Sequence, residues 1–278
     1  MIRNIRHSLA GVSLLVALQV FPPIGLLAAE DAKTWTIEQK EQFLRTAQIM
    51  KTYPAPKGIT GTVRVALSDG TTSHDASVQR VNEEKRLFQP DSGPPEMNFR
   101  DSYKFNIAAW KLAELLGIDD MTPPSVERKY NGQAAAFTWW VDDVLMDEGE
   151  RMAKKMNPPN QDGWNREMNV LVVFDQLIYN VDRNIGNMVI DQGWHLWMID
   201  HSRSFRLVKT LKEPKRLTFV DRNLLAKMKT LDEPTLLQAL RPYVEKAEIQ
   251  GLLARRDAIV KIFDSKGAGF IYDRPARK

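Results

Sequence analysis

Three polar residues in the middle of the chain have types and spacings that suit phosphoryl transfer. Asp182 and Asn187 are five positions apart, and Asp200 follows Asn187 by thirteen positions. The residues between Asn187 and Asp200 alternate in hydropathy around a turn at 191–193, which predicts a tight β-hairpin whose ends meet. A carboxylate and an amide oxygen that meet at a hairpin base are suitable ligands for Mg²⁺. A second carboxylate in the preceding loop, Asp182, could orient or deprotonate a hydroxyl nucleophile, as phosphoryl transfer requires.

The stretch from 179 to 203 resembles the catalytic and metal loops of the protein-kinase-like superfamily. It is most similar to the atypical branch that includes the phosphatidylinositol 3/4-kinases, the HipA-type kinases and the secretory-pathway kinases. The catalytic motif of that branch, Asp-Arg-x-x-x-Asn, is matched at 182–187, and the metal motif, Ile-Asp-His, at 199–201. The resemblance implies that Asp182 is the catalytic aspartate, that Asn187 and Asp200 bind Mg²⁺, and that ATP is bound as substrate or ligand.

Each of these residues also has a purely structural alternative. Asp182 and Arg183 could form an ion pair at a helix end, Asn187 could be a turn residue, and Asp200 could be a cap. The joint spacing around an alternating hairpin favours the kinase-like site, because a motif gains weight from its structural context.

The sequence departs from the family pattern at the phosphate end of the predicted site. A kinase of this type has a lysine on its third strand, paired with a glutamate on the following helix. Gln79 and Asn106 stand where that pair is expected, so both charged partners are replaced by amides and their side chains should face each other. Arg64, on the polar face of the preceding strand, is the candidate replacement cation, with a solvated surface arginine as the alternative. The nucleotide is therefore expected to contact Arg64, Gln79, Asn187 and Asp200.

The elements that must position these residues predict an α+β, two-lobed kinase-like fold. A small antiparallel-sheet N-lobe with one main helix spans 55–142, and a mainly helical C-lobe with the catalytic hairpin spans 143–278. A helical extension at 30–54 precedes them. The patterns predict helices at 34–52, 99–117, 164–179, 221–230, 233–246 and 248–263, strands at 58–67, 71–81, 125–130 and 134–141, and a loop at 89–98.

Composition and the N-terminus restrict the classes of function. The sequence has no cysteine, four scattered histidines and a net charge of +4, which exclude a disulfide framework and argue against a histidine metal site or a nucleic-acid partner. Two arginines, an apolar run and small residues in 1–29 predict a secretory signal peptide, with an uncleaved anchor as the alternative. The mature protein is then periplasmic or secreted, and a proline pair at 22–23 argues against a stable membrane span.

The leading functional prediction is an exported kinase-like phosphotransferase that moves a nucleotide phosphoryl group to a hydroxyl with Mg²⁺. The acceptor stays open among protein, lipid, sugar and small molecule. The first alternative is a catalytically inactive, kinase-like module that binds a nucleotide or a protein. A structural protein of the cell envelope is the second alternative, so the sequence leaves open whether the chain is an enzyme.

Overall fold

The computed structural model describes residues 32–54, 62–90, 95–275 and 277. In the first half of the chain the elements are α1 Ile37–Thr46, β1 Gln48–Pro54, β2 Val63–Ser68, β3 Ser73–Gln79, β4 Asn82–Phe88, β5 Glu96–Ser102, α2 Lys104–Leu116, β6 Ser125–Tyr130 and β7 Gln133–Trp139. In the second half they are β8 Val144–Asp147, α3 Glu148–Ala153, α4 Gln161–Ile178, β9 Met188–Asp191, β10 Leu196–Met198, β11 Val220–Asp221, α5 Arg222–Thr230, α6 Glu233–Leu240, α7 Lys246–Lys266 and β12 Ile271–Tyr272.

The main sheet is antiparallel and has the strand order β1-β2-β3-β7-β6. Val65 and Val78 are buried on one face, where they share a core with Phe43 and Leu44 of α1. Because side chains alternate along a strand, Arg64 lies on the opposite face, directly across from Ser77 of β3. That second face is therefore the one that carries the polar residues of the predicted nucleotide site.

The helical half is built around a core that also includes α2. Phe105 and Leu112 of α2 are buried in the same cluster as Phe174 of α4, Leu252 of α7 and Met198 of β10. The cluster thus joins the helix of the sheet region to the hairpin β9–β10. An antiparallel sheet with α2, followed by a mainly helical region, confirms the predicted α+β, two-lobed fold class.

The helix predicted at 34–52 is wrong in its second half. Helix α1 ends at Thr46, and the chain continues from Gln48 as strand β1, which pairs antiparallel with β2. Met50 keeps 64% of its surface exposed, so this edge strand lacks a clear period-two pattern of burial. Its conformation is decided by backbone pairing with β2, the next strand in the chain, rather than by its own hydropathy pattern. The segment expected to be a helical extension therefore supplies a strand to the sheet.

The helix predicted at 99–117 starts later than expected, at Lys104. The preceding residues form a hairpin, β4–β5, with residues 91–94 outside the described part of the chain. All of the first six side chains of β4 are exposed, so the hydropathy pattern carries no signal for this strand. The region 89–98, expected to be a loop, is therefore partly strand.

Most elements from β6 onward match their predictions. The hairpins β6–β7 and β9–β10, and helices α4, α5 and α7, are confirmed with shifted ends. Helix α6 ends at Leu240 rather than at 246, just before Pro242. Within the described ranges, every helix is too short or too polar to cross a membrane. The predicted signal peptide at 1–29 and the first four residues of the strand predicted at 58–67 lie outside those ranges.

Candidate functional site

Arg183 holds the segment that contains the predicted catalytic residues. Its Nε donates to Asp175 Oδ2 of α4 at 3.0 Å, and its Nη1 donates to the carbonyls of Asn187 at 2.8 Å and Ile199 at 2.6 Å. The backbone N–H of Ile199 also donates to the Asn187 carbonyl at 3.2 Å. The hairpin therefore brings Asn187 beside the residue that precedes Asp200, which confirms the expected convergence.

The same geometry places Asp182 next to Asn187. Asn187 Nδ2 donates to the carbonyl of Asp182 at 3.3 Å, and the Asp182 N–H donates to Asn180 Oδ1 at 2.9 Å. Asp200 has a positive φ of 52°, and its Oδ1 accepts from the Ser202 N–H at 3.3 Å. A left-handed backbone at a residue other than glycine persists when its surroundings fix it, and such residues concentrate at functional sites.

A further carboxylate, which the sequence analysis missed, lies in this neighbourhood. Asp101, near the end of β5, is 5% exposed, and its Oδ1 has no hydrogen-bond partner among the described residues. Burial raises the pKa of Asp101, and the negative charges of Asp200 and Asp182 raise it further against the opposing charge of Arg203. No local pattern could identify Asp101, because the hairpin that carries it was not predicted.

The pKa of Asp182 is also raised above its ordinary value. Burial is the largest cause, and the charges of Asp200 and Glu96 add to it, while Arg203 and Arg183 act in the opposite direction. The site therefore combines a desolvated carboxylate with neighbouring acidic groups, an arrangement that favours a bound cation or a transferable proton.

The donor set at the hairpin base fits Mg²⁺. Among the described residues, no three acidic, histidine or cysteine side chains converge closely enough to hold a metal ion. The base instead offers a carboxylate from Asp200 and an amide oxygen from Asn187. Mg²⁺ in phosphoryl-transfer sites is bound through one or two carboxylates together with substrate phosphates and water, so a site of this kind needs few protein ligands.

Gln79 and Asn106 face each other, as the sequence predicted. Asn106 Nδ2 donates to Gln79 Oε1, and Asn106 Oδ1 accepts from the backbone N–H of His201 at 2.6 Å. Both amides are 7% exposed. The contact links β3, α2 and the residue that follows Asp200, so these amides hold the loop after β10 in place through uncharged hydrogen bonds.

His201 is packed into the core. Burial, together with the positive charge of Arg183, holds the pKa of His201 well below its ordinary value. Its ring lies edge-on to Phe174 with centroids 5.8 Å apart. A neutral, buried imidazole packed against Phe174 has a structural role here.

Arg64, on the polar face of the main sheet, contacts Asp75 and Trp140. Its Nε donates to Asp75 Oδ2 at 2.6 Å, and its guanidinium lies over the Trp140 ring, 4.5 Å from the centroid. These three residues line a cavity of about 420 Å³ beside Asp142 and His74. The contact of Arg64 with phosphates stays a prediction, and its charge is paired with Asp75 in this structure.

The acidic stretch after β7 is held in place by hydrogen bonds. Asp142 accepts from His74 Nε2 at 2.8 Å and from Trp139 Nε1 at 3.1 Å. His74 also stacks on Trp139 with centroids 3.6 Å apart. Asp142 is therefore fixed in the wall of the cavity, while the three residues that follow it are exposed.

No protein-family model matches the sequence, and no curated protein matches it. Among solved structures, the chain is similar to a Helicobacter pylori proinflammatory kinase, CtkA, with a TM-score of 0.43 and 11% sequence identity. The match covers 78% of this chain and 93% of that chain. The roles of the site residues therefore depend on the geometry described above.

Proposed function

We propose that the chain is an exported, kinase-like phosphotransferase that uses ATP and Mg²⁺ to phosphorylate a hydroxyl group. The observation that carries this proposal is the convergence of Asp182, Asn187 and Asp200 at the base of one hairpin, fixed by Arg183. Phosphoryl transfer depends mainly on positioning and electrostatics, and a rigid loop with desolvated carboxylates provides both.

Each residue has a defined part in this proposal. Asp182 orients the acceptor hydroxyl and receives its proton, which its raised pKa supports because a carboxylate that is costly to ionise accepts a proton more readily. Asn187 and Asp200 hold Mg²⁺, which, when bound, neutralises charge on the phosphates. Gln79 and Asn106 fix the position of the metal loop through the backbone of His201.

The second candidate is a nucleotide-binding module without catalysis. It is favoured by the neutral Gln79–Asn106 contact and by the pairing of Arg64 with Asp75, which together leave the phosphate end without the expected lysine. In that case the hairpin would bind Mg²⁺ and nucleotide, and Asp182 would take no part in a reaction.

The two functions are separated by measuring binding and turnover on the chain that starts at Glu30. Thermal shifts with ATP, ADP and GTP, each with and without Mg²⁺, report binding, because a ligand of the folded state raises Tm. Release of ADP, together with phosphate incorporation into the protein or added acceptors, reports turnover. The variants are Asp200→Ala and Asp182→Asn, with Asp257→Ala, an exposed position on α7, as the matched control.

The proposed phosphotransferase gives a Mg²⁺-dependent shift with ATP that Asp200→Ala abolishes. Asp182→Asn retains the shift and lowers ADP release by at least about 100-fold, the usual contribution of a positioned acid–base group. A shift without ADP release supports the binding module. No shift with any nucleotide, or an unaltered shift in Asp200→Ala, overturns both.

A further inference from the structure

An open groove lies beside Val181, and it shares no lining residue with the Arg64 cavity. One wall is the start of β5, and the other is the segment at 206–212, which follows the metal loop. The groove has a volume of about 440 Å³. We call this groove, lined by residues 95–98, 179, 181, 206–208 and 212, the acceptor groove.

The hairpin β4–β5 forms the first wall because its outer edge is fastened to the chain after Asp200. The N–H of Ser102 donates to the carbonyl of Ser202 at 2.9 Å, and Arg206 Nη1 donates to the carbonyl of Arg100 at 2.8 Å. Glu96 forms ion pairs with Arg203 and Arg206. The outer edge of β5 is covered as far as Arg100, and the groove opens beyond that point.

The floor of the groove leads to the catalytic aspartate. Val181 lines the groove, and its N–H donates to the carbonyl of Arg203 at 3.2 Å. Asp182 is the next residue in the chain. The lining of the groove therefore ends one residue before the aspartate proposed to receive the hydroxyl proton.

The apolar lining is open to solvent. Met97, Leu207 and Val208 retain 62%, 47% and 39% of their surfaces exposed. A site for a small molecule encloses most of its ligand, whereas exposed apolar side chains in a concave groove suit the side chains of a larger chain. A membrane would instead require the apolar and basic groups on a flat or convex face.

Basic residues outnumber acidic ones beside the groove, with Arg206 paired to Glu96 and Arg216 paired to Glu213. The segment at 206–216 has one acidic residue and five basic ones, which are Arg206, Lys209, Lys212, Lys215 and Arg216. Lys212 itself lines the groove. A partner with complementary charge is acidic, and complementary charge also speeds association.

We propose that the acceptor groove binds an acidic, extended polypeptide segment that carries the hydroxyl to be phosphorylated. This inference rests on the proposed phosphotransferase function. The acceptor oxygen forms a bond to the γ-phosphorus of ATP, and the bond from that phosphorus to the bridging oxygen breaks. ADP leaves with the electron pair, and the hydroxyl proton passes to Asp182.

Peptide binding without nucleotide tests the groove separately from turnover. The probe is a fluorescent, serine-containing peptide rich in glutamate and leucine, and its control replaces each glutamate with lysine. Anionic phospholipid vesicles form the lipid arm. The groove variants are Lys212→Glu and Met97→Ser, matched by the exposed positions Lys261→Glu and Met50→Ser elsewhere on the chain.

The acidic peptide should bind at least about tenfold more tightly than the basic one, and each groove variant should weaken it by about tenfold, while the matched controls leave it unchanged. Equal affinity for the two peptides overturns the proposal, as does an unaltered affinity in Lys212→Glu. Binding of vesicles that depends on Lys212, without binding of the acidic peptide, also overturns it and identifies a lipid surface instead. Because no nucleotide is present, a chain that lacks phosphotransfer can still give the expected result.

Discussion

At the scale of single residues, the pair Gln79–Asn106 replaces charge with hydrogen bonding in a buried position. Both ends of the Asn106 amide are used, one by Gln79 and the other by the backbone N–H of His201. A buried polar group that loses its partner costs about 1–3 kcal/mol. We therefore expect the pair to stabilise the fold because each amide supplies the other's hydrogen-bond partner, so that neither residue has this effect alone.

A double-mutant cycle measures that contribution. Asn106→Leu should lower the free energy of unfolding by about 2–4 kcal/mol, because it leaves both Gln79 and the His201 N–H without partners. Adding Gln79→Leu should cost less than it does in the parent, with a coupling energy of about 0.5–3 kcal/mol by denaturant unfolding. Strictly additive effects would show that the two amides act independently.

The carboxylate of Asp101 makes stability depend on pH. Its pKa is raised in the folded chain, chiefly by burial and then by Asp200 and Asp182. The unfolded chain loses this proton near pH about 3.9, and the folded chain loses it at higher pH. The protonated Asp101 carboxyl therefore makes its full contribution to the free energy of unfolding below the unfolded pKa. That contribution is lost as the pH rises through the folded pKa.

Asp101→Asn removes this ionisation and should raise Tm by a few degrees at neutral pH without metal. The gain over the parent should shrink as the pH falls through the folded pKa and should vanish below about 3, where the parent carboxyl is protonated in both states. Scanning calorimetry across this range measures it, with Asp257→Asn as the exposed control. A lower Tm in Asp101→Asn than in the parent at neutral pH would show that ionised Asp101 does not destabilise the fold.

At the scale of elements, the hairpin β9–β10 and its loop act as one unit because of Arg183. This guanidinium and Asp175 are 9% and 11% exposed, and together they join α4 to both ends of the hairpin. Breaking a buried ion pair by removing one partner leaves the other charge uncompensated, which costs about 3–5 kcal/mol.

Arg183→Met should therefore lower the free energy of unfolding by about 3–5 kcal/mol and abolish the Mg²⁺-dependent shift with ATP, although Asp182, Asn187 and Asp200 are intact. Denaturant unfolding and the thermal shift measure these effects. The double variant Arg183→Met/Asp175→Leu should regain part of the stability but not the nucleotide shift. If Arg183→Met has the same midpoint denaturant concentration as the parent, the contacts of Arg183 are not what holds the hairpin β9–β10 and its loop in place.

The elements also show what the sequence could predict. The hairpin β9–β10 was predicted correctly because its alternation and turn are local, and the meeting of Asn187 with Ile199, the residue before Asp200, follows from that geometry. Strands β1 and β4 were missed because their side chains are largely exposed and their partners decide their conformation. Asp101 was missed with them, since its place in the site depends on how the hairpin β4–β5 packs on the metal loop.

At the scale of the whole molecule, export is the first prediction. The chain is expected to lose residues 1–29 and to begin near Glu30 in the periplasm or the medium, because the charged start, apolar run and small residues form a cleavable signal. Cell fractionation followed by N-terminal sequencing measures it. Recovery of Met1 on protein from the cytoplasm would contradict it, and recovery of Met1 in the membrane fraction would identify the uncleaved anchor.

Strand β5 joins the two lobes through ion pairs with the helical lobe. Glu96 pairs with Arg203 and Arg206 of the metal-loop segment, and Arg100 pairs with the buried Glu248 of α7. Both ties cross from the hairpin that precedes α2 to the helical lobe. Because regions joined by a strong interface unfold together, the parent should show a single calorimetric transition.

The variant Glu96→Gln/Arg100→Met removes both ties and should split this transition into two, with the sheet lobe unfolding first. Its Tm falls by several degrees because Arg203, Arg206 and Glu248 lose charged partners in a largely buried setting. Lys229→Met is the control, since it breaks only an exposed pair with Asp264, which contributes at most about 1 kcal/mol. One sharp transition at a lowered Tm in the double variant would show that the core shared by α2 and the helical lobe couples them without β5.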